Sequence, residues 1–172
     1  MLLLLFYAGE EQYAIESKRV VEVVPLVAVK KLHHAPEYVA GLFNYRGQIV
    51  PVIDLCLLIQ GTPCRRHLST RIIMVNYLGS NTANSSSPQH QLHLLGLMAE
   101  RVTETLNKAE SDFVTPGIAV DTAPYLGEIV TDEKGMIQFV RIDKLLPESH
   151  FINLLPSPEA QEMPIPSLRA AE

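Results

Sequence analysis

The chain has 172 residues, 47% of them hydrophobic and 19% charged, with 12 prolines, 9 glycines and no tryptophan. That length and hydrophobic content fit one globular domain or two small barrels sharing a core, and they argue against disorder along most of the chain. A net charge of −5 with no basic stripe argues against a protein that grips a phosphate backbone.

The opening run MLLLLFYA has no basic lead, and Glu10 and Glu11 stand where a cleavage site needs small residues. It therefore reads as a buried strand, Leu2–Ala8, and not as a signal peptide, and it is too short to span a bilayer. A turn at Gly9–Glu10–Glu11 leads to a short strand, Gln12–Ile15, and then one helical turn in Glu16–Val20. Val21–Val29 is rich in β-branched residues, and Pro25 places it at a sheet edge or a bulge. Tyr38–Tyr45 and Gln48–Ile53 are strands joined by a tight turn at Arg46–Gly47. Asp54 suits the N-cap of a short helix, Leu55–Ile59, stopped by Gly61 and Pro63. Thr70–Leu78 is a strongly apolar strand, and Gly79–Gln91 is a polar, Ser-rich loop that carries the sequon Asn84–Ser85–Ser86. Leu92–Met98 resumes the sheet. Tyr125–Thr131 and Met136–Arg141 make a hairpin around Asp132–Gly135, and the proline-rich run from Pro147 predicts a poorly ordered tail.

A degenerate repeat underlies this order. Tyr13–Val24 aligns without a gap on Leu95–Leu106, so that Arg19, Val20 and Glu22 meet Arg101, Val102 and Glu104. Each copy is expected to end a strand, turn, and begin another strand with R-V-x-E. Gly47-Gln-Ile…Ile53–Asp54 likewise resembles Gly135-Met-Ile…Ile142–Asp143. Two copies of one small β unit account for the order. Period 2 would turn the valines of Val20–Val24 inward and Glu22 outward, and the repeated R-V-x-E is equally open to an Arg–Glu pair within each copy.

The side chains offer little chemistry. His33, His34, Cys56 and Cys64 can ligate metal, but no CxxC or HxxxH spacing is present, and they read as exposed histidines and structural thiols. Two cysteines make no disulfide framework, which fits a reducing cytoplasm. No nucleophile elbow and no phosphate-binding glycine loop occurs. Glu10–Glu11 and Asp132–Glu133 read as solvated turn charges. Asn44–Tyr45–Arg46–Gly47 stands apart. Gly47 supplies positive φ and Asn44 can bond its own turn, whereas Arg46 is either a solvated turn residue or an interface anchor. Two competing readings are a β-barrel that binds single-stranded nucleic acid, opposed by the charge and by 6% aromatics, and a metal-dependent enzyme.

Gln12-Tyr-Ala-Ile-Glu, Val20-Val-Glu-Val-Val and above all Gly41-Leu-Phe-Asn-Tyr-Arg-Gly-Gln-Ile-Val-Pro-Val-Ile-Asp54–Leu55 resemble the CheW family of chemotaxis coupling proteins. Leu95–Glu104 and Val140-Arg-Ile-Asp-Lys-Leu-Leu match its later segments. Asn44–Gly47, His67-Leu-Ser-Thr-Arg71 and Ala123-Pro-Tyr-Leu-Gly127 look like the coupling proteins of Wsp-type surface-sensing systems. The resemblance implies a mainly β, CheW-like fold: two five-stranded SH3/OB-like barrels around a shared core, in one domain over residues 1–147. The first barrel would take roughly residues 1–66 and the second 67–147, with terminal strands free to cross over. The 79–91 loop and the 148–172 tail are additions to the family pattern. It also implies a non-catalytic adaptor without cofactor or metal. That adaptor would join a chemoreceptor's cytoplasmic helical tip to the regulatory domain of a CheA-type histidine kinase, in the cytoplasm at membrane-associated arrays, where copies can self-associate. Neither nucleic acid nor membrane insertion belongs to that role. The residues implied in partner contact are Val20, Glu22, Gly41, Arg46 and Gly47, with Asn44 as turn-former and Val102 and Glu104 from the second half.

Overall fold

The computed structural model describes residues 1–80 and 90–147, together with His150 and Leu154. Most of the expected polar loop and of the C-terminal tail therefore lies outside the described residues. In chain order the elements are β1 (Leu2–Ala8), β2 (Glu11–Glu16), β3 (Val20–Pro25), β4 (Val39–Tyr45), β5 (Gln48–Asp54), α1 (Leu55–Gln60), β6 (Arg71–Ser80), β7 (His90–Asn107), β8 (Leu126–Asp132) and β9 (Gly135–Val140). Short 3-10 turns follow β2 at Ser17–Arg19 and β9 at Ile142–Lys144. Asp54 caps α1 by accepting from the Leu57 N–H at 3.0 Å, and Gly61 ends it in the left-handed region with φ 75°. β3 stops at Pro25, short of the expected Val29, because proline has no N–H to continue a ladder.

The second copy of R-V-x-E corrects the sequence reading. No turn separates it from the strand before it, since β7 runs on for 18 residues. The turn is replaced by a bulge. Leu5 pairs with Glu104 and Tyr7 with Glu100, two steps on β1 against four on β7, and Arg101 takes φ 47°. That bend lets one strand leave one sheet and enter another. The first half of β7 pairs with β6 and, in parallel, with β5, whereas its second half pairs with β1.

The result is two five-stranded sheets that share β7. One contains β3, β6, β7, β5 and β4; the other contains β7, β1, β2, β9 and β8. The sheets do not follow the sequence halves, because the N-terminal β1–β2 hairpin joins β8 and β9 by a parallel β2–β9 pairing. Among the described residues, neither ring is closed by a ladder. At each seam stands a single antiparallel bridge: Lys30 with Leu42 beyond β3, and Val114 with Ile129 beyond β7. The two bridges occupy matching places in the repeat.

This arrangement explains the apolar N-terminus. Leu3 and Leu5 face a small core inside the second sheet with Ala14, Val130 and Ile137. Phe6 and Ala8, with Leu4 packed against them, face the larger core shared with Ile53, Ile72, Met74 and Leu97. A strand covered on both faces reads as a continuous hydrophobic run and not as an alternation.

Candidate partner-binding surface

The β4–β5 hairpin turns on two residues, Arg46 and Gly47, with Tyr45 paired to Gln48. Both turn residues have positive φ, 50° and 86°, which gives a turn whose twist matches that of the flanking strands. Asn44 Oδ1 accepts from the Gly47 N–H at 2.7 Å. A Cβ at Gly47 would meet nothing within 4 Å, so the glycine answers to backbone conformation alone.

The tip reaches across the seam to β3. Arg46 Nη2 donates to Glu22 Oε2 at 2.9 Å, the Tyr45 hydroxyl donates to the same oxygen, and the Arg46 guanidinium lies 5.2 Å from the Tyr45 ring centre. The bond to Glu22 raises the Tyr45 phenol above its usual pKa. Glu22, Tyr45 and Arg46 thus close with side chains what no backbone ladder closes. The arginine side chain remains 74% exposed.

Other expected contact residues fall elsewhere. Gly41 is buried, with φ 150°, and a Cβ there would come within 2.3 Å of the Lys30 carbonyl oxygen. It exists so that the bridge Lys30–Leu42 can form, and it has no side chain to offer a partner. Val102 is 8% exposed and belongs to the core; Val20 is half-buried against it. Glu104 lies in the other sheet and accepts from Lys134 Nζ at 2.9 and 2.8 Å, which raises the lysine's pKa. Lys134 precedes Gly135 in the β8–β9 turn as Arg46 precedes Gly47, so each seam carries one glutamate paired with one basic turn residue.

Two expectations are corrected here. No Arg–Glu pair forms within either R-V-x-E. Arg19 instead grips Asp143 through Nη1 at 2.9 Å and Nη2 at 2.5 Å, and Arg101 reaches Glu10 at 3.3 Å while stacking on Tyr7. Nor do all the valines of β3 turn inward. The register slips between Val20 and Glu22, and Val21 and Val23 are left exposed on an end strand laddered only to β6. With Ile49, 54% exposed beside the hairpin tip, they are contact candidates that the sequence reading missed, since period 2 gives alternation but not its phase after a bulge.

Among the described residues, Asp54, Cys56 and Cys64 bring possible metal-ligand atoms within 4.8 Å of one another, and His33 and His34 do not join them. Asp54 is already engaged by the Leu57 and Cys64 N–H groups. Among those residues, no helix is long and apolar enough to cross a membrane.

Two five-stranded sheets with a shared strand, an apolar end strand and a charged turn at each seam define an interaction module. Residues 2–150 match the model of the CheW-like domain. The chain is 28% identical over 145 residues to the chemotaxis protein CheW of Klebsiella aerogenes, covering 83% of this chain and 80% of that one. It is 24% identical over 142 residues to the CheW of Helicobacter pylori, covering 82% and 78%. The crystal structure of the scaffolding protein TtCheW from Thermoanaerobacter tengcongensis superposes with a TM-score of 0.74 at 27% identity, over 90% of this chain and 93% of that one. The chain belongs to the CheW family.

Proposed function

We propose that this protein is a non-catalytic adaptor that couples the cytoplasmic helical tip of a chemoreceptor to the regulatory domain of a CheA-type histidine kinase. The observation that supports it best is the exposed Arg46, set by a glycine turn and two side-chain bonds beside the apolar end strand of β3. A helical partner laid along such a strand would bury Val21, Val23 and Ile49 as spaced apolar anchors and meet Arg46 with a carboxylate. The Glu104–Lys134 seam offers a second charged turn, so two partners can be held at once. This role places the protein at membrane-associated receptor arrays. Nucleic-acid binding and metal-dependent catalysis are not favoured by the family.

A reconstituted mixture of receptor, kinase and this chain tests the reading. Kinase autophosphorylation should depend on the chain when receptor is present, and the chain alone should hydrolyse neither ATP nor phosphoprotein. Kinase output that is the same with and without the chain would overturn it.

A further inference from the structure

Cys56 and Cys64 play no part in the adaptor surface. Cys56 lies in the first turn of α1 and is 2% exposed; Cys64, at 9%, is the buried residue in an otherwise exposed run over 61–68. The backbone N–H of Cys64 donates to both Asp54 carboxylate oxygens, at 3.3 and 3.1 Å, and that carboxylate also caps α1. This clamp sets the Cys64 Sγ 2.6 Å from the Cys56 Sγ. Each sulfur also meets a backbone carbonyl, Met98 at 3.5 Å from Cys64 and Tyr7 at 3.9 Å from Cys56, and the Asp54 carboxylate lies within 4.8 Å of both.

The two sulfurs face each other directly, and the Asp54 carboxylate beside them is already engaged by the N–H groups of Leu57 and Cys64. A disulfide requires two sulfurs in direct contact, and this pair is placed for it. We propose that Cys56 and Cys64 form an oxidisable pair that a peroxide converts into an intramolecular disulfide.

In that step hydrogen peroxide oxidises one of the two sulfurs, as its thiolate, to a sulfenic acid, and the hydroxide released is protonated to the first water. The other sulfur, as its thiolate, then attacks the sulfenic sulfur and displaces hydroxide, which takes up the second thiol's proton to give the second water. Two thiols lose two protons and two electrons, and the peroxide is reduced to two waters. Hydrogen bonding to Cys56, burial and the nearby Asp54 carboxylate hold the Cys64 thiol above its usual pKa, so the reaction is slow and proceeds through opening of the exposed run 61–68. The cross-link would tie the first turn of α1 to the connection before β6 and leave Arg46 untouched.

The test treats the full-length chain with hydrogen peroxide under native conditions, then denatures it and adds a maleimide. The intact mass should fall by two hydrogens with no maleimide taken up. The melting temperature should rise by about 5–10 °C, reversed by dithiothreitol. A Cys64→Ala chain should show no such rise; if it does not fold, the mass of the natural chain decides alone. Two maleimides bound after treatment, added oxygen without loss of hydrogen, disulfide-linked dimers, or stoichiometric zinc in the purified chain would each overturn the proposal.

Discussion

Replacing Arg46 by glycine separates the stability of the β4–β5 turn from its use. A non-glycine residue in the left-handed region costs roughly 1–2 kcal/mol, and Arg46 bears that cost at φ 50°. Glycine removes it. The same change deletes a half-exposed ion pair with Glu22, worth about 0.2–1 kcal/mol, and the arginine–Tyr45 contact, worth about 0.5–1 kcal/mol. These terms nearly cancel, so Arg46→Gly should stay within ~1 kcal/mol of the natural chain, a change in Tm of no more than about 4 °C. Arg46→Glu retains the backbone cost, loses both contacts and sets a second carboxylate beside Glu22. It should be less stable by about 1–2 kcal/mol. If Arg46 anchors a partner, both variants should bind more than tenfold more weakly, since hot-spot losses of about 2 kcal/mol exceed the 1.4 kcal/mol of one decade. Calorimetric unfolding and titration against the kinase regulatory domain and a receptor tip read the two effects independently. Normal binding of both partners by Arg46→Gly would refute the anchor and leave Arg46 a solvated turn residue.

Gly41→Ala should cost about 3 kcal/mol or more in denaturant unfolding, because its Cβ would strike the Lys30 carbonyl, a backbone atom, at a φ that only glycine tolerates well. Gly47→Val meets no neighbour and should lose only the conformational cost, about 1–3 kcal/mol, while weakening partner binding by misplacing Arg46. The hydrogen bonds from Arg19 hold the Asp143 carboxyl below its usual range, against a smaller opposing effect of burial. A pKa depressed on folding contributes stability above the unfolded value, near 3.9, and loses it as pH falls through the folded value. Melting temperature should therefore drop below about pH 4, and Asp143→Asn should flatten that part of the profile. β6 and β7 pair out to Ser80 and His90, so replacing residues 81–89 by Asn-Gly shortens the connection by about two doublings and should leave stability unchanged or raise it by ~1 kcal/mol, a rise in Tm of no more than about 4 °C.

What the chain's own residues determined is local. Asn44 and Gly47 bond across three positions, Asp54 caps α1 three positions on and Gly61 closes it four positions back, so the hairpin turn and the capped helix were legible in the sequence. The G-x-x-N-x-R-G motif carried the family with them. The tertiary structure alone decided which hairpin joins which sheet, that β7 passes through R-V-x-E without a turn, and that Val21 and Val23 face outward. It also chose every ionic partner at the seams. Arg19 meets Asp143 across 124 residues and Glu22 meets Arg46 across 24, in pairs that no spacing within R-V-x-E specifies. A cap or a tight turn closes between near neighbours and gains its hydrogen bond at once, whereas a seam exists only after two distant strands have been brought side by side by burying Phe6, Ile53, Ile72 and Leu97 together.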